Sequence, residues 1–92
     1  MPTRVVVAED EAIIRMDLRE LLQEEGYEVV AECGRGGEAV ELVREHAPDV
    51  ALLDIKMPGL DGISAAREIA SERLTAVVLV TAFSQRELIE EA

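Results

Sequence analysis

The segment Arg4-Val-Val-Val-Ala-Glu-Asp10 sets the architecture, because a β-branched apolar run stops abruptly at two carboxylates. The same arrangement recurs where Val50-Ala-Leu-Leu runs into Asp54 and where Val77-Val-Leu-Val runs into Thr81. If these runs are parallel strands of one sheet, their carboxyl ends lie side by side, where open α/β sheets bind ligands. The sequence therefore predicts that three carboxylates and one hydroxyl converge at one edge of a sheet.

Amphipathic stretches alternate with short strands in the first half of the chain, which is typical of βαβ units. A helix is predicted from about Glu11 to Glu25, with Gly26 as its C′ residue. The second strand, near Glu28 to Cys33, is predicted to be a half-buried edge strand. One face of this strand would carry Val29, Ala31 and Cys33, and the opposite face would carry Glu28, Val30 and Glu32. A turn containing Gly34, Gly36 and Gly37 then leads to a helix over about Glu38 to His46.

The second half of the chain continues the alternation. Strands are predicted at about 50–54 and 76–81, and both are nearly continuous apolar runs, as expected for interior strands covered by helices on both faces. Between them, Asp61 is predicted to cap a third helix. Ser84-Gln-Arg-Glu87 matches a capping box at the start of a fourth helix.

The acidic balance of the chain limits its partners. A formal net charge of −11 disfavours nucleic-acid binding by this segment, because such footprints are usually clustered Lys and Arg. With Cys33 as the single cysteine, no internal disulfide can form, and a reducing cytoplasm is the expected compartment. There is neither an amino-terminal signal pattern nor an apolar stretch of about 18 residues, so no membrane association is expected. Ninety-two residues suit one domain.

The carboxylates at the strand ends suggest a particular chemistry. Placed together, Glu9, Asp10 and Asp54 would raise one another's pKa values unless a cation neutralised them. Mg²⁺ takes oxygen ligands and keeps several waters, so one or two direct carboxylates are sufficient. Beside such an ion, Asp54 can attack a phosphoryl group and form an aspartyl phosphate. The hydroxyl of Thr81 would then donate to a phosphoryl oxygen and report the change in charge.

Three motifs together resemble the receiver domain of two-component response regulators. They are Ala8-Glu-Asp-Glu11, Leu53-Asp-Ile-Lys-Met-Pro-Gly-Leu-Asp-Gly62 and Val80-Thr-Ala82. The resemblance spans almost the whole chain, and the combination is far more specific than any one motif. It implies an open, doubly wound, flavodoxin-like α/β fold whose parallel strands follow the order 2-1-3-4.

The same resemblance implies a role for each site residue. Asp54 would be the phosphoacceptor and would ligate Mg²⁺ together with Asp10 and the backbone carbonyl of Lys56. Glu9 would act on the metal through a water molecule, and Thr81 would be the hydroxyl residue of the switch. Family members take their phosphoryl group from a phosphohistidine on a sensor histidine kinase, which is the partner expected here.

A narrower likeness is visible in Glu9-Asp-Glu-Ala-Ile-Ile-Arg-Met-Asp-Leu18 and in Thr81-Ala-Phe-Ser-Gln-Arg-Glu-Leu88. These stretches look like regulators that carry an ANTAR output domain, which bind RNA and act in transcription antitermination. No such output domain is visible in the 92 residues. RNA binding would therefore belong to sequence outside this segment.

The sequence also departs from the receiver pattern. The family places a lysine at the end of a fifth strand beyond the switch residue, and the one lysine here, Lys56, cannot replace it. We therefore expect residues 1–92 to form a receiver that is incomplete at its carboxyl end, with the fifth strand and the fifth helix absent. The fourth strand would then be an exposed apolar edge, which invites homodimerisation or strand exchange.

Two other functions stay open at this point. A phosphatase of the haloacid dehalogenase type also uses an aspartate nucleophile after an apolar strand and a threonine after another. Such enzymes need a second aspartate two residues after the first, and that position is Lys56. The other alternative is a degenerate receiver that acts only through protein contacts.

Overall fold

The computed structural model describes residues 2–55, 62–72 and 75–80 of the chain. Within these ranges, strands and helices alternate as β1 (Arg4–Ala8), α1 (Ala12–Glu24), β2 (Glu28–Cys33), α2 (Gly36–His46), β3 (Val50–Asp54), α3 (Gly62–Ser71) and β4 (Ala76–Val80). All strand pairs are parallel, and the order across the sheet is β2-β1-β3-β4. The predicted open α/β sheet with strand order 2-1-3-4 is confirmed.

The route of the chain through the sheet places helices on both faces. From β1 the chain moves outward to β2, then returns past β1 to β3 and continues to β4. Because crossovers between parallel strands are almost always right-handed, α1 lies on one face, while α2 and α3 lie on the other. The helices α2 and α3 also contact each other.

The core lies between the sheet and the layer formed by α2 and α3. Its largest fully buried side chains include Leu53 of β3, Ile69 of α3 and Val6 of β1. Each such side chain contributes roughly 1.5–3 kcal/mol by leaving water. The whole cluster comprises Val6, Ala8, Cys33, Ala39, Val40, Val43, Ala51, Leu53, Ala65 and Ile69. It holds β1 and β3 side by side, and these strands carry the predicted acidic residues at their ends.

Strand β2 lies at one end of the described sheet, as its mixed polar pattern predicted. Its register against β1 is irregular, since Val5 pairs with Val29 but Val6 pairs with Ala31. Val30 is therefore an extra residue, a β-bulge. The prediction that Val29 shares a face with Ala31 is wrong for this reason, and Val30 and Ala31 both pack against the core.

Helix α2 begins earlier than predicted, at Gly36 rather than at Glu38. Arg35 precedes it in extended conformation, and the backbone N–H of Ala39 donates to the Arg35 carbonyl at 3.1 Å, which closes the first helical turn. The glycines at 36 and 37 therefore belong to the helix and not to the preceding turn. The caps predicted at Asp61 and Ser84 lie outside the described residues.

Helix α1 carries an apolar stripe, formed by Ile14, Leu18, Leu21 and Leu22, that is only partly buried. Leu18 and Leu22 are half-buried, whereas Ile14 and Leu21 are exposed. Among the described elements, α1 contacts only β1 and β2, so the sheet covers only part of the stripe.

None of the helices in the described ranges has both the length and the apolar character that crossing a bilayer requires.

Two helix ends adopt left-handed backbone conformations. Gly26 follows α1 with φ +91°, as the predicted C′ glycine should. Ala47 follows α2 with φ 45° and ψ 57°, a conformation that crowds the Cβ of a non-glycine residue. The carbonyl of Ala47 and that of His46 both accept hydrogen bonds from the Arg4 guanidinium, which holds this strained end in place.

We expect Ala47→Gly to raise the free energy of unfolding by about 1 kcal/mol, because it removes the crowded Cβ from a left-handed residue. Gly26→Ala should lower it by about the same amount for the converse reason. Urea denaturation of the two variants and the parent measures both effects. A destabilised Ala47→Gly variant would contradict this account of the end of α2.

Candidate functional site

The register between β1 and β3 brings two acidic residues to the same level of the sheet. Ala8 pairs with Leu53, so Glu9 and Asp54 follow at equivalent positions on neighbouring strands. Both residues are almost fully buried, with Glu9 4% and Asp54 5% exposed. Two carboxyl groups are thus held next to each other and away from water at the carboxyl edge of the sheet.

Asp10 completes a cluster of three carboxyl groups. One oxygen from each of Glu9, Asp10 and Asp54 lies within 4.8 Å of the others. Asp10 is exposed, so the cluster is open to solvent on its side. Hard oxygen donors that include two shielded carboxylates are suited to Mg²⁺, which binds through one or two carboxylates while keeping several waters. The donor set therefore fits this ion.

The electrostatics of the cluster favour a bound proton when no cation is present. The pKa of Glu9 is raised from 4.5 to about 7, chiefly by burial, and a hydrogen bond with the Asp10 carboxyl and the charges of Asp54 and Asp10 act in the same direction. The backbone N–H of Glu11, which donates to Glu9 Oε1 at 3.1 Å, acts in the opposite direction. Without a bound cation, Glu9 therefore keeps its proton to a higher pH than an exposed glutamate does.

The backbone around Glu9 is held at both of its polar groups. Its N–H donates to the carbonyl of Cys33, the last residue of β2, at 3.0 Å. Its carbonyl accepts a hydrogen bond from Arg15 Nη1 at 2.7 Å. The acidic pair therefore follows β1 in a loop that is attached to both β2 and α1.

Gly62, the first residue of α3, packs against the backbone of Asp54. Its N–H donates to the Ile55 carbonyl at 3.0 Å. A Cβ at this position would clash with the carbonyl oxygen of Asp54 and would lie 2.7 Å from its carbonyl carbon. Only glycine allows this approach, so Gly62 helps to place Asp54.

The structure brings together three of the residues singled out from the sequence, namely Glu9, Asp10 and Asp54. Lys56 and Thr81 lie outside the described residues, so their roles stay predictions. Sequence reasoning gave no separate role to two residues that contact the acidic loop or strand end.

These two residues are Arg15 and Gly62. The signal for Gly62 was its place in an Asp-Gly pair that precedes a helix, since such a glycine often permits close approach of two backbones. Arg15 lies in the helix directly after the acidic pair, and only the tertiary structure shows that it reaches back to Glu9.

The chain is similar to known proteins over its whole length. Residues 5–92 match the response regulator receiver domain family. The transcriptional regulatory protein PdtaR of Mycobacterium tuberculosis is 61% identical over 92 residues, which are 100% of this chain and 45% of PdtaR. The chemotaxis protein CheY of Bacillus subtilis is 37% identical over 100% of this chain and 78% of its own length.

A solved structure shows the same fold. The signal receiver domain of the response regulator NarL from Mycobacterium tuberculosis has a TM-score of 0.82 and 37% sequence identity. The alignment covers 98% of this chain and 74% of the NarL chain. The present chain thus spans most of a solved receiver domain but less than half the length of PdtaR.

Gly62→Ala should lower the free energy of unfolding by about 2 kcal/mol, because the new Cβ meets backbone atoms that cannot move aside cheaply. Gly37→Ala is the matched control. Gly37 lies inside α2 with open space around its Cβ position, so alanine should raise stability by up to about 1 kcal/mol. Chemical denaturation of both variants tests the pair, and equal stabilities would contradict the close packing at Asp54.

Without divalent cations, the free energy of unfolding should fall as pH rises from about 4.5 through 7. Folded Glu9, with a pKa of about 7, keeps a proton that an unfolded glutamate with a pKa of 4.5 has already lost. Its contribution is fully present below pH 4.5 and disappears above the folded pKa, with a slope of at most about 1.4 kcal/mol per pH unit.

Glu9→Gln removes this titration and should flatten the curve over the same range. Glu11→Gln leaves Glu9 in place and should preserve the slope. Urea denaturation at several pH values in a metal chelator provides the comparison, and an unchanged slope in Glu9→Gln would show that another group is responsible.

Proposed function

Because the chain belongs to the response regulator receiver domain family, we propose that it accepts a phosphoryl group on Asp54 from a sensor histidine kinase in a Mg²⁺-dependent reaction. The observation that carries this proposal is the group of carboxyl oxygens from Glu9, Asp10 and Asp54, which lie within 4.8 Å of one another at the carboxyl edge of a parallel sheet. The domain acts as a signalling module of a two-component system.

The proposed transfer uses Asp54 as the nucleophile. A carboxylate oxygen of Asp54 attacks phosphorus, an O–P bond forms, and the N–P bond of the phosphohistidine breaks. The histidine leaves with the electron pair and takes up a proton from water. The position of Asp54 at the end of an interior strand supports this role, because the rigid sheet holds its carboxylate in one place.

In the proposed site, Asp10 and Glu9 help to hold the cation beside Asp54. In this proposal Asp10, Asp54 and the backbone carbonyl of Lys56 hold Mg²⁺, and Glu9 acts through a water molecule. When bound, Mg²⁺ supplies the positive charge that offsets both the carboxylates and the phosphoryl oxygens. The raised pKa of Glu9 supports the assignment, since burial first, and then the neighbouring Asp10 and Asp54, disfavour its ionised form when no cation is present.

Thr81 is the proposed switch residue. Val80 of β4 pairs with Asp54 in the sheet register, and Thr81 is the next residue in the chain. A hydroxyl donor that follows this pair is suited to a phosphoryl oxygen on Asp54, and the altered hydrogen bond would change the segment that follows it.

For the whole protein we extend the proposal to control of transcription. The 61% identical PdtaR is a transcriptional regulatory protein. The two stretches that resemble ANTAR regulators favour an RNA-binding output region, and the net charge of −11 disfavours RNA contacts by the receiver itself. The proposed setting is the cytoplasm.

Homodimerisation or strand exchange through β4 also belongs to this proposal. Val78 and Leu79 of β4 are both exposed in the described chain. β4 also lies at one end of the described sheet, and the backbone N–H and C=O groups of an apolar edge strand favour pairing with a second strand.

Incubation with Mg²⁺ and acetyl phosphate should add one phosphoryl group per chain, measured by intact mass spectrometry. Asp54→Asn should abolish the addition, because an amide is a poor nucleophile. Asp17→Asn is the matched control, since Asp17 is an exposed aspartate on α1, and it should be phosphorylated like the parent.

Other outcomes point to other functions. Steady release of inorganic phosphate without a stable adduct would favour the haloacid dehalogenase type of hydrolase. No Mg²⁺-dependent modification at all would favour a degenerate receiver that acts only through protein contacts. Modification that persists in Asp54→Asn would overturn the assignment of the phosphoacceptor.

A further inference from the structure

We infer that Arg15 is a positioning residue of the acidic site, because its guanidinium holds the backbone carbonyl of Glu9 and so fixes the directions of the two adjacent acids. The inference rests on the proposed Mg²⁺-binding function of the cluster. It concerns a residue of α1 that supplies no metal ligand itself.

The contact between Arg15 and Glu9 is short and partly shielded. Arg15 Nη1 donates to the Glu9 carbonyl oxygen at 2.7 Å, within the range of charge-assisted hydrogen bonds. The Arg15 side chain is only 23% exposed, so solvent competes weakly for its protons. The contact therefore constrains the loop more firmly than a surface ion pair would.

The bonded carbonyl belongs to the peptide group that joins Glu9 to Asp10. A peptide group is planar, so holding its oxygen restricts ψ of Glu9 and φ of Asp10 together. The N–H of Glu9 is already held by Cys33 at 3.0 Å. With Arg15 attached as well, the directions in which the Glu9 and Asp10 side chains leave the backbone are both restricted.

Two neighbours keep the guanidinium in position. Glu32 of β2 lies close to it, with Oε1 3.9 Å from Arg15 Nε. Gly34 leaves space for it, since a Cβ there would lie 3.2 Å from Arg15 Nη1 and 3.7 Å from the Cα of Asp10. Arg15 therefore connects the edge strand to the acidic loop.

Arg19 offers a natural comparison. It lies one turn further along α1, and its Nη1 donates to Glu32 Oε1 at 3.3 Å. Among the hydrogen bonds of the described residues, only that of Arg15 reaches the Glu9 carbonyl. The two arginines thus share the contact with Glu32 and differ in the contact with the acidic loop.

Titration of the ¹⁵N-labelled chain with Mg²⁺ alone, followed by ¹H–¹⁵N NMR, tests the inference. Arg15→Ala should raise the Mg²⁺ Kd about tenfold, as loss of a residue that orients a metal ligand typically does. Arg19→Ala should leave the Kd unchanged. Arg15→Lys should give an intermediate Kd, because lysine keeps the charge but not the planar fork.

Stability without metal separates positioning from a merely structural role. Urea denaturation in a metal chelator should show a larger loss for Arg15→Ala, which loses the hydrogen bond to the Glu9 carbonyl as well as the contact with Glu32, than for Arg19→Ala, which loses only the latter. Both variants should stay folded under the conditions of the Mg²⁺ titration, so a difference in Kd reports on the site and not on unfolding. An unchanged Kd in Arg15→Ala, or equal Kd increases in the two alanine variants, would overturn the inference.

Two further results are also decisive. If Arg15→Ala does not fold, Arg15→Met decides in its place, because methionine keeps an aliphatic stem but offers no donor to the Glu9 carbonyl, and a Kd equal to that of the parent rejects the positioning role. If the parent chain itself binds no Mg²⁺, the proposed function fails together with the inference. A parent that binds Mg²⁺ and an Arg15→Ala variant that binds it equally well reject the inference alone.

Discussion

Two carboxyl groups buried side by side at the ends of adjacent strands are the constraint on which the rest of this structure depends. Removing Glu9 from water disfavours its charged form, and the neighbouring charge of Asp54 acts in the same direction. The arrangement persists because neighbouring groups over-determine it. The Cys33 carbonyl and Arg15 hold the backbone of Glu9, and Gly62 packs against the backbone of Asp54.

The two faces of the sheet contribute to the acidic site in different ways. The tightly packed face, covered by α2 and α3, keeps β1 and β3 in register. Glu9 and Asp54 are therefore held at equivalent positions on the two strands. The face covered by α1 is packed more loosely, and its main link to the site is the polar contact made by Arg15. Rigid packing thus places Asp54, whereas a hydrogen bond orients the loop that carries Glu9 and Asp10.

Much of the fold could be predicted from the sequence, because strand and helix periodicities are local properties. Apolar runs that end in acids predicted both the parallel sheet and the meeting of Glu9 with Asp54. The bulge at Val30 and the start of α2 at Gly36 could not be predicted, since they depend on how strands align and helices dock. The contact made by Arg15 was equally invisible, because it depends on where one guanidinium meets the backbone of a preceding loop.

Because of the bulge in β2, the number of residues in that strand affects where the acidic loop at Glu9 and Asp10 lies. Six residues of β2 lie alongside five of β1, and the extra residue lets Ala8 and Cys33 come into register at the far end. Without that adjustment, the Cys33 carbonyl would not meet the N–H of Glu9. The number of residues in β2 therefore helps to determine the position of Glu9, although β2 contributes no acid to the cluster. When homologous sequences are aligned or redesigned, an insertion or deletion in β2 should therefore be treated as a change to the acidic site, as a substitution of Glu9, Asp10 or Asp54 would be.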